Sequence, residues 1–327
     1  MLGIMTDVVR PRLLLDCDPG HDDAVAMVAA AAFADVVGIV TVAGNVSLER
    51  TTHNALVMRD LIGIDAPLHS GCARPLVAPP RDAGAIHGES GLDGATLPEP
   101  MTPIDGTDGV EFIIDTCRAE EGVWLVPTGP LTNIGAAFRL APDLPARVAG
   151  VSLMGGGSFG NRTALAEFNV WADPEAASIV FDAFDPSTPG SAAGPLIMAG
   201  LDLTHQFQVT PQRIEQTRAI PGRLAATLAD LFDFFTGNYL QRHDDGALAG
   251  AALHDPLAVL AITHPELFGY VSRHVVVETR GQHTAGVTVI DERNLLERSE
   301  ANCRVLTTVD ADAAFALVLD AVGQFSR

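Results

Sequence analysis

The sequence predicts an α/β fold in a single domain. Its centre is a mostly parallel, Rossmann-like sheet flanked by helices, with a small antiparallel β portion near the C-terminus. Three observations carry this prediction. Short apolar runs alternate with helix-like stretches along most of the 327 residues, the pattern of successive βα units. The runs are apolar on both faces, as buried parallel strands must be. Beyond Val271 the β-rich stretches Val271–Glu278 and Gly286–Ile290 follow one another closely, which is hairpin material. No repeat, low-complexity tract or linker divides the chain, so 1–327 reads as one domain.

The elements follow in order. Leu13-Leu14-Leu15 opens the first strand, and Pro19-Gly20 stops it. Ala24 to Ala30 is a small-residue apolar helix. The β-branched run Val36 to Val42 ends at Ala43-Gly44-Asn45. Ser47 is predicted to cap a helix with Glu49 in its first turn, closed after Ile62 by Gly63. A short strand around Leu68 leads into residues 71–108, rich in Pro, Gly and Asp; compact domains keep loops of that length for function. Val110 to Arg118 is helical, and Val123 to Val126 is a strand running into Pro127-Thr128-Gly129. A helix reaches about Leu140, then Val148 to Met154 forms a strand before Gly155-Gly156-Gly157. Asp173-Pro174-Glu175 opens another helix with cap, proline and acid in place. Pro195 to Ala199 is a further strand. A long helix from about Arg223 passes Phe232 and Phe235 toward Tyr239. The loop Asp244–Leu253 leads to His254-Asp255-Pro256 and a helix to Ile262; Cys303–Val309 and a final helix after Asp310 close the chain.

With 20 basic and 41 acidic residues the net charge is −21, which argues against nucleic acid or an anionic membrane as partner. An apolar fraction of 47% permits a substantial core. The four cysteines, Cys17, Cys72, Cys117 and Cys303, form no C-x-x-C pair, so neither structural zinc nor a disulfide framework is expected. Met1 to Arg12 lacks the apolar core of a signal peptide and no stretch has transmembrane length, so a cytoplasmic protein is expected.

The chemistry gathers after the first strand. Asp16, Asp18, Asp22 and Asp23 fall at the carboxyl end of a strand and the start of a helix, where open α/β sheets bind ligands. Helix capping explains one or two acids there. Four repel one another unless a cation or shared protons compensate. An oxygen-rich site for Ca²⁺ or Mg²⁺ is the reading that follows. The loops Gly44-Asn45, Pro127-Thr128-Gly129, Met154–Gly157 and His254-Asp255 should converge on the same edge. Each also has an ordinary reading: Asn45 and Thr128 as turn residues, His254 as a core or capping residue, Asp255 before Pro256 as a helix start. Gly155-Gly156-Gly157 lacks the Lys and Ser/Thr of a P-loop and is not read as a phosphate cradle.

Taken together and in order, these segments resemble the inosine-uridine nucleoside hydrolases. The matching pieces are Asp16-Cys17-Asp18-Pro19-Gly20-His21-Asp22-Asp23-Ala24, Val42-Ala43-Gly44-Asn45, Ile86-His87-Gly88-Glu89-Ser90-Gly91-Leu92 and Val126-Pro127-Thr128-Gly129-Pro130-Leu131-Thr132-Asn133. Leu153 to Gly157, Ala166-Glu167-Phe168-Asn169-Val170 with Asp173 to Ala177, and Leu253-His254-Asp255-Pro256 complete the set. The resemblance implies calcium-dependent cleavage of the N-glycosidic bond of ribonucleosides such as inosine and uridine. It implies one Ca²⁺ per chain, held by Asp18, Asp23, the Thr128 carbonyl and Asp255, and a homodimer or homotetramer. Asp18 would also take the proton of the attacking water, with Asp16 supporting the loop from behind. Asp22 and Asn45 would hold ribose hydroxyls, joined by Asn161, Glu167, Phe168 and Asn169 with Met154 packing nearby. His254 would act as the acid toward the leaving base, since imidazole titrates near neutrality.

Tyr239 and His243 lie four apart and would share a face of a continuing helix, lining the base pocket with His87. His21 is expected at the rim. Two other functions compete. An aspartyl-nucleophile phosphatase of the haloacid dehalogenase type also places Asp-x-Asp after a buried strand. It would need Thr or Val where Gly20 stands, and a downstream Lys in which this chain is very poor. A non-catalytic nucleoside- or calcium-binding protein of the same fold would be marked by loss of a first-loop Asp or of His254, and none is lost.

Overall fold

A computed structural model of the chain describes residues 10–82, 84–241, 248–293 and 299–326. Its strands are β1 (Arg12–Cys17), β2 (Asp35–Thr41), β3 (Leu68–Ser70), β4 (Val123–Pro127), β5 (Gly150–Met154) and β6 (Leu196–Ala199). They continue as β7 (Gln208–Val209), β8 (Ala251–Ala252), β9 (Phe268–Arg273), β10 (Val275–Val277), β11 (Thr288–Ile290) and β12 (Cys303–Val309). Eight of them form the central sheet in the order β3-β2-β1-β4-β5-β6-β12-β9. Every neighbouring pair is parallel except β12 with β9.

The chain leaves β1 for β2 and β3 on one side, then crosses back to lay β4 against the other side of β1. The loops after β1 and β4 therefore diverge and open a crevice at their carboxyl ends. Helices cover both faces. The helices His21–Phe33, Arg223–Leu240, Pro256–Thr263 and Ala311–Phe325 enclose one apolar cluster, and Gly109–Ala119, Thr132–Leu140 and Pro174–Ala183 enclose the other. The first helix is buried nearly all round, which its alanines allow, because they let neighbouring backbones approach closely.

The structure revises several local expectations. Residues 271–278 do not form one strand. Phe268–Arg273 is the antiparallel edge of the main sheet, while Val275–Val277 pairs with Thr288–Ile290 in a separate hairpin. The break falls at His274, whose ring meets Asp185 at 3.3 Å. Ser47 stands at the cap position of the helix Leu48–Ile62, yet its side chain makes no capping bond. Thr51 anchors that turn instead, donating its hydroxyl to the Val42 carbonyl at 2.9 Å. Gly63 does close the helix in the left-handed region, at φ 78°. The helix carrying Tyr239 ends at Leu240, and His243, expected to share its face, lies outside the described residues. The expected loop before His254 contains β8, which pairs with β7. All four cysteines are free thiols. Among the described residues no helix is long and apolar enough to cross a membrane.

Candidate active site

The crevice beside β1 holds five buried carboxylates: Asp16, Asp18, Asp22, Asp23 and Asp255. β1 delivers the first two. Asp16 is the penultimate residue of β1 and Asp18 follows the strand's end; the Asp16 backbone carbonyl accepts the Thr128 N–H at 2.9 Å, joining the ends of β1 and β4. Asp22 and Asp23 occupy the first turn of the following helix. Asp255 stands at the cap position before Pro256 but makes no capping hydrogen bond, so its carboxyl is released toward the cluster. Oxygens of Asp22, Asp23 and Asp255 lie within 4.8 Å of one another.

Asp255 hydrogen-bonds the carboxyls of Asp22 and Asp23, and the other partners of the five are neutral. Asn133 donates to Asp16 Oδ1 at 2.7 Å, and the Asn45 backbone N–H to Asp18 Oδ2 at 2.7 Å. The Asn45 side chain donates to the Asp18 carbonyl and to Asp23 Oδ2. The Thr128 hydroxyl donates to Asp23 Oδ1 at 2.7 Å, and the Gly20 N–H to Oδ2 at 2.9 Å. No arginine bonds any of the five among the described residues. Asp16 Oδ2, Asp18 Oδ1 and Asp22 Oδ1 are buried with no partner there. Burial, opposed by the Asn133 bond, raises Asp16 to about 7; burial and then the Asp23 charge raise Asp22 to about 7. Burial and neighbouring carboxylates raise Asp18 and Asp255 well above the carboxylate range. Orphaned, mutually repelling oxygens to which no basic side chain bonds among the described residues are what a hard divalent ion satisfies, and the all-oxygen donor set suits one.

The backbone comes very close to this cluster. A Cβ on Gly129 would sit 2.6 Å from Asp18 Oδ1, and one on Gly20 would sit 2.6 Å from His87 Nδ1. Only glycine permits either approach.

A cleft of about 500 Å³, counting its open mouth, rises above the carboxylates. Asp18, Asp22, Asn45, Thr128 and Asp255 form its floor, and Met154, Asn161, Glu167, Phe168 and Asn169 are on its wall. His87, Tyr239 and His254 line it too. Asp23 lies behind, fully buried. Glu167 is anchored by three backbone donors, from Asn169, Gly156 and Val170, and burial raises its pKa against their pull. Asn169 Nδ2 donates to the Thr128 carbonyl at 2.7 Å, so its Oδ1 is turned to other work. Asn161 Oδ1 accepts the Phe168 N–H at 3.0 Å.

Gly155, Gly156 and Gly157 all have positive φ. Their amides are already bonded: Gly156 to Glu167, Gly157 to the Thr288 hydroxyl, Gly155 to the Ala199 carbonyl. The triplet therefore builds the wall and is no phosphate cradle.

His254 Nδ1 lies 2.8 Å from the Thr204 hydroxyl, and the Tyr239 ring is 6.5 Å from its centroid. Ile86 and Phe235 complete this apolar end; neither stood out in the sequence, because a single apolar residue on a core helix carries no signal of its own. One expectation is overturned. His21 is not at the rim but fully buried, stacked nearly parallel to Phe234 and Phe235 at 5.6 and 5.1 Å. The first helix is packed on all sides, and its first residue is packed with it. Burial pushes His21 down to about 4 and His87 well below the imidazole range.

A doubly wound sheet carries carboxylates at its switch point, beneath a cleft walled by amides and ringed at one end by imidazoles, and the relatives of the chain give this site its class, a hydrolase of N-glycosyl compounds. The sequence profile of the inosine-uridine preferring nucleoside hydrolases matches residues 13–316, and the chain belongs to that family. It is 41% identical over 315 residues to the pyrimidine-specific ribonucleoside hydrolase RihA of Escherichia coli strain SMS-3-5, covering 94% of this chain and 97% of that protein. Its fold is similar to that of a purine-preferring ribonucleoside hydrolase from Gardnerella vaginalis, with a TM-score of 0.86 at 30% identity over 96% of this chain and 99% of that one. A plant nucleoside hydrolase, PpNRh1, gives 0.84 at 27% identity, covering 96% and 99%.

Proposed function

We propose that the chain, acting as one domain, hydrolyses ribonucleosides to free base and ribose in a Ca²⁺-dependent reaction of nucleoside salvage or catabolism. Pyrimidine nucleosides are preferred on this reading, as the name of the 41%-identical relative suggests, with uridine first and inosine as the purine to compare. The observation that carries the proposal is the set of five buried carboxylates with orphaned oxygens beneath the cleft. Asp18, Asp23, Asp255 and the Thr128 carbonyl would hold the ion. A hard dication there supplies acidity to water and a grip on vicinal hydroxyls.

The remaining work falls to the chain. Asp22 Oδ1 and Asn45 hold the lower ribose hydroxyls, while Asn161, Glu167 and Asn169 hold the other side. Asp18 Oδ1, without a partner among the described residues, accepts the proton of the attacking water. As the bond from C1′ to the base nitrogen breaks, positive charge develops on the ribose. The carboxylates and amide oxygens around it stabilise that charge more than the neutral nucleoside, and this difference lowers the barrier. His254 and Tyr239 stand at the base end, where the departing nitrogen base needs a proton or a hydrogen bond. A cytoplasmic homodimer or homotetramer is part of the proposal.

The test incubates purified protein with uridine, cytidine, inosine, adenosine and guanosine and measures base and ribose together. Equimolar release that EDTA abolishes and Ca²⁺ restores is expected. Absence of release from all five nucleosides refutes the proposal. The phosphatase alternative has no lysine to use, since the sequence contains none.

A further inference from the structure

His21 takes no part in the chemistry above, yet its two ring nitrogens are both engaged. Nε2 lies 2.9 Å from the Asp93 backbone oxygen, and Nδ1 lies 3.2 Å from His87 Nδ1. The peptide oxygen only accepts, so His21 Nε2 carries a proton. A neutral imidazole protonated there has a bare lone pair at Nδ1. His87 Nδ1 must then donate, which leaves the lone pair of His87 on Nε2, the ring nitrogen remaining for the cleft. The competing contact, from the His21 backbone N–H to His87 Nδ1, is longer at 3.5 Å. It would set two lone pairs against each other across 3.2 Å. Neither ring bonds a carboxylate among the described residues, and both stack on Phe235, so a charged form has little to support it.

The oxygen that starts this relay is held firmly. The Asp93 carboxylate accepts the N–H groups of Glu89 and Ser90 at 2.9 and 3.2 Å. Asn54 ties the same loop to the turn before His21, donating to the Ser90 and Pro19 carbonyls at 2.9 and 3.0 Å. The relay is therefore built into the fold before any ligand arrives.

We infer that His21 is a positioning residue that fixes His87 as the Nδ1–H tautomer, so that His87 Nε2 offers the base pocket a hydrogen-bond acceptor. Such a pocket selects bases with an N–H or NH₂ edge, such as the imide of uracil or the amine of cytosine. The inference rests on the reading of the cleft as a nucleosidase site.

Two measurements on the Ca²⁺-loaded protein test it. Long-range ¹H–¹⁵N spectra of histidine-labelled protein, with the His87 signals assigned by their loss in His87→Phe, report the tautomer directly. Nδ1–H is expected in the wild type and a shift away from it in His21→Phe, which keeps the stacked ring but removes the acceptor. In kinetics, uridine is compared with 3-deazauridine, which lacks the N3–H without added bulk. The wild type should prefer uridine by about tenfold or more, the worth of one hydrogen bond in a closed site. His21→Phe should lose that preference, with kcat/KM falling on uridine and little changed on 3-deazauridine. A merely structural role would lower both alike. A wild-type His87 protonated at Nε2, or equal losses on both nucleosides, overturns the inference. If no nucleoside is cleaved, the functional reading fails and the spectra decide the relay alone. The wild-type spectrum is equally decisive if His21→Phe does not fold.

Discussion

Removing the divalent ion should turn the carboxylate cluster from a support of the fold into a pH-dependent load. Without an ion, burial holds Asp16 and Asp22 near 7, and burial with repulsion also raises Asp18 and Asp255 well above the usual carboxylate range. In the unfolded chain all four ionise near 4. Their folded pKa values are raised, so the folded state binds more protons and stability falls as pH rises from about 4 through the folded values. His21 and His87 act in the opposite sense, because their folded values are lowered; their contribution grows with pH up to about 6.5 and is then complete. The clean window is therefore pH 7 to 8.5. There each proton still held by the cluster costs up to about 1.4 kcal/mol per pH unit, or roughly 2 °C in Tm for a chain of 327 residues. Saturating Ca²⁺ should abolish the slope and raise Tm most at the alkaline end, by mass action worth about 2.7 kcal/mol at a hundredfold excess over Kd. Calorimetric scans in EDTA and in excess Ca²⁺, at half-unit pH steps, measure both. A chelated protein whose stability is flat or rises from pH 7 to 8.5 would refute the reasoning.

Four substitutions at three positions probe the separate parts of the site. Thr128→Val should destabilise by about 1.5–3 kcal/mol in chemical denaturation, since Asp23 Oδ1 loses its buried donor, whereas Thr128→Ser should be nearly silent. Asp18→Asn is expected to cut kcat far more than it weakens ribose binding, measured as the inhibition constant of ribose; a near-normal kcat with the ion bound would move the base role to Asp22. His254→Ala should lower inosine turnover by on the order of a hundredfold and uridine turnover by less, because a purine can accept a proton at N7. Equal losses on both substrates would remove the acid role from His254.

The order of elements and the acid-rich first loop were legible in the chain itself. A buried parallel strand needs apolar residues on both faces, and Leu13 to Leu15 shows that over a stretch too short to mistake. Asp16, Asp18, Asp22 and Asp23 announced themselves because like charges so close in sequence remain close in any fold. Gly63 and Asp173 were readable for a related reason: caps and closures are local, and local geometry is written in neighbouring residues. What crosses the sheet was not. Nothing near His21 in sequence says that the Asp93 carbonyl and His87 wait for its two nitrogens, 72 and 66 residues away. Nothing in Val271 to Glu278 says that half of it joins Cys303–Val309 and half turns into a hairpin. Whether Asp255 caps its helix or joins the carboxylates is likewise settled by where its helix docks, beside the first helix. Periodicity and turn chemistry act over a few residues, while burial and tautomer depend on partners that only the packed fold brings within 3 Å.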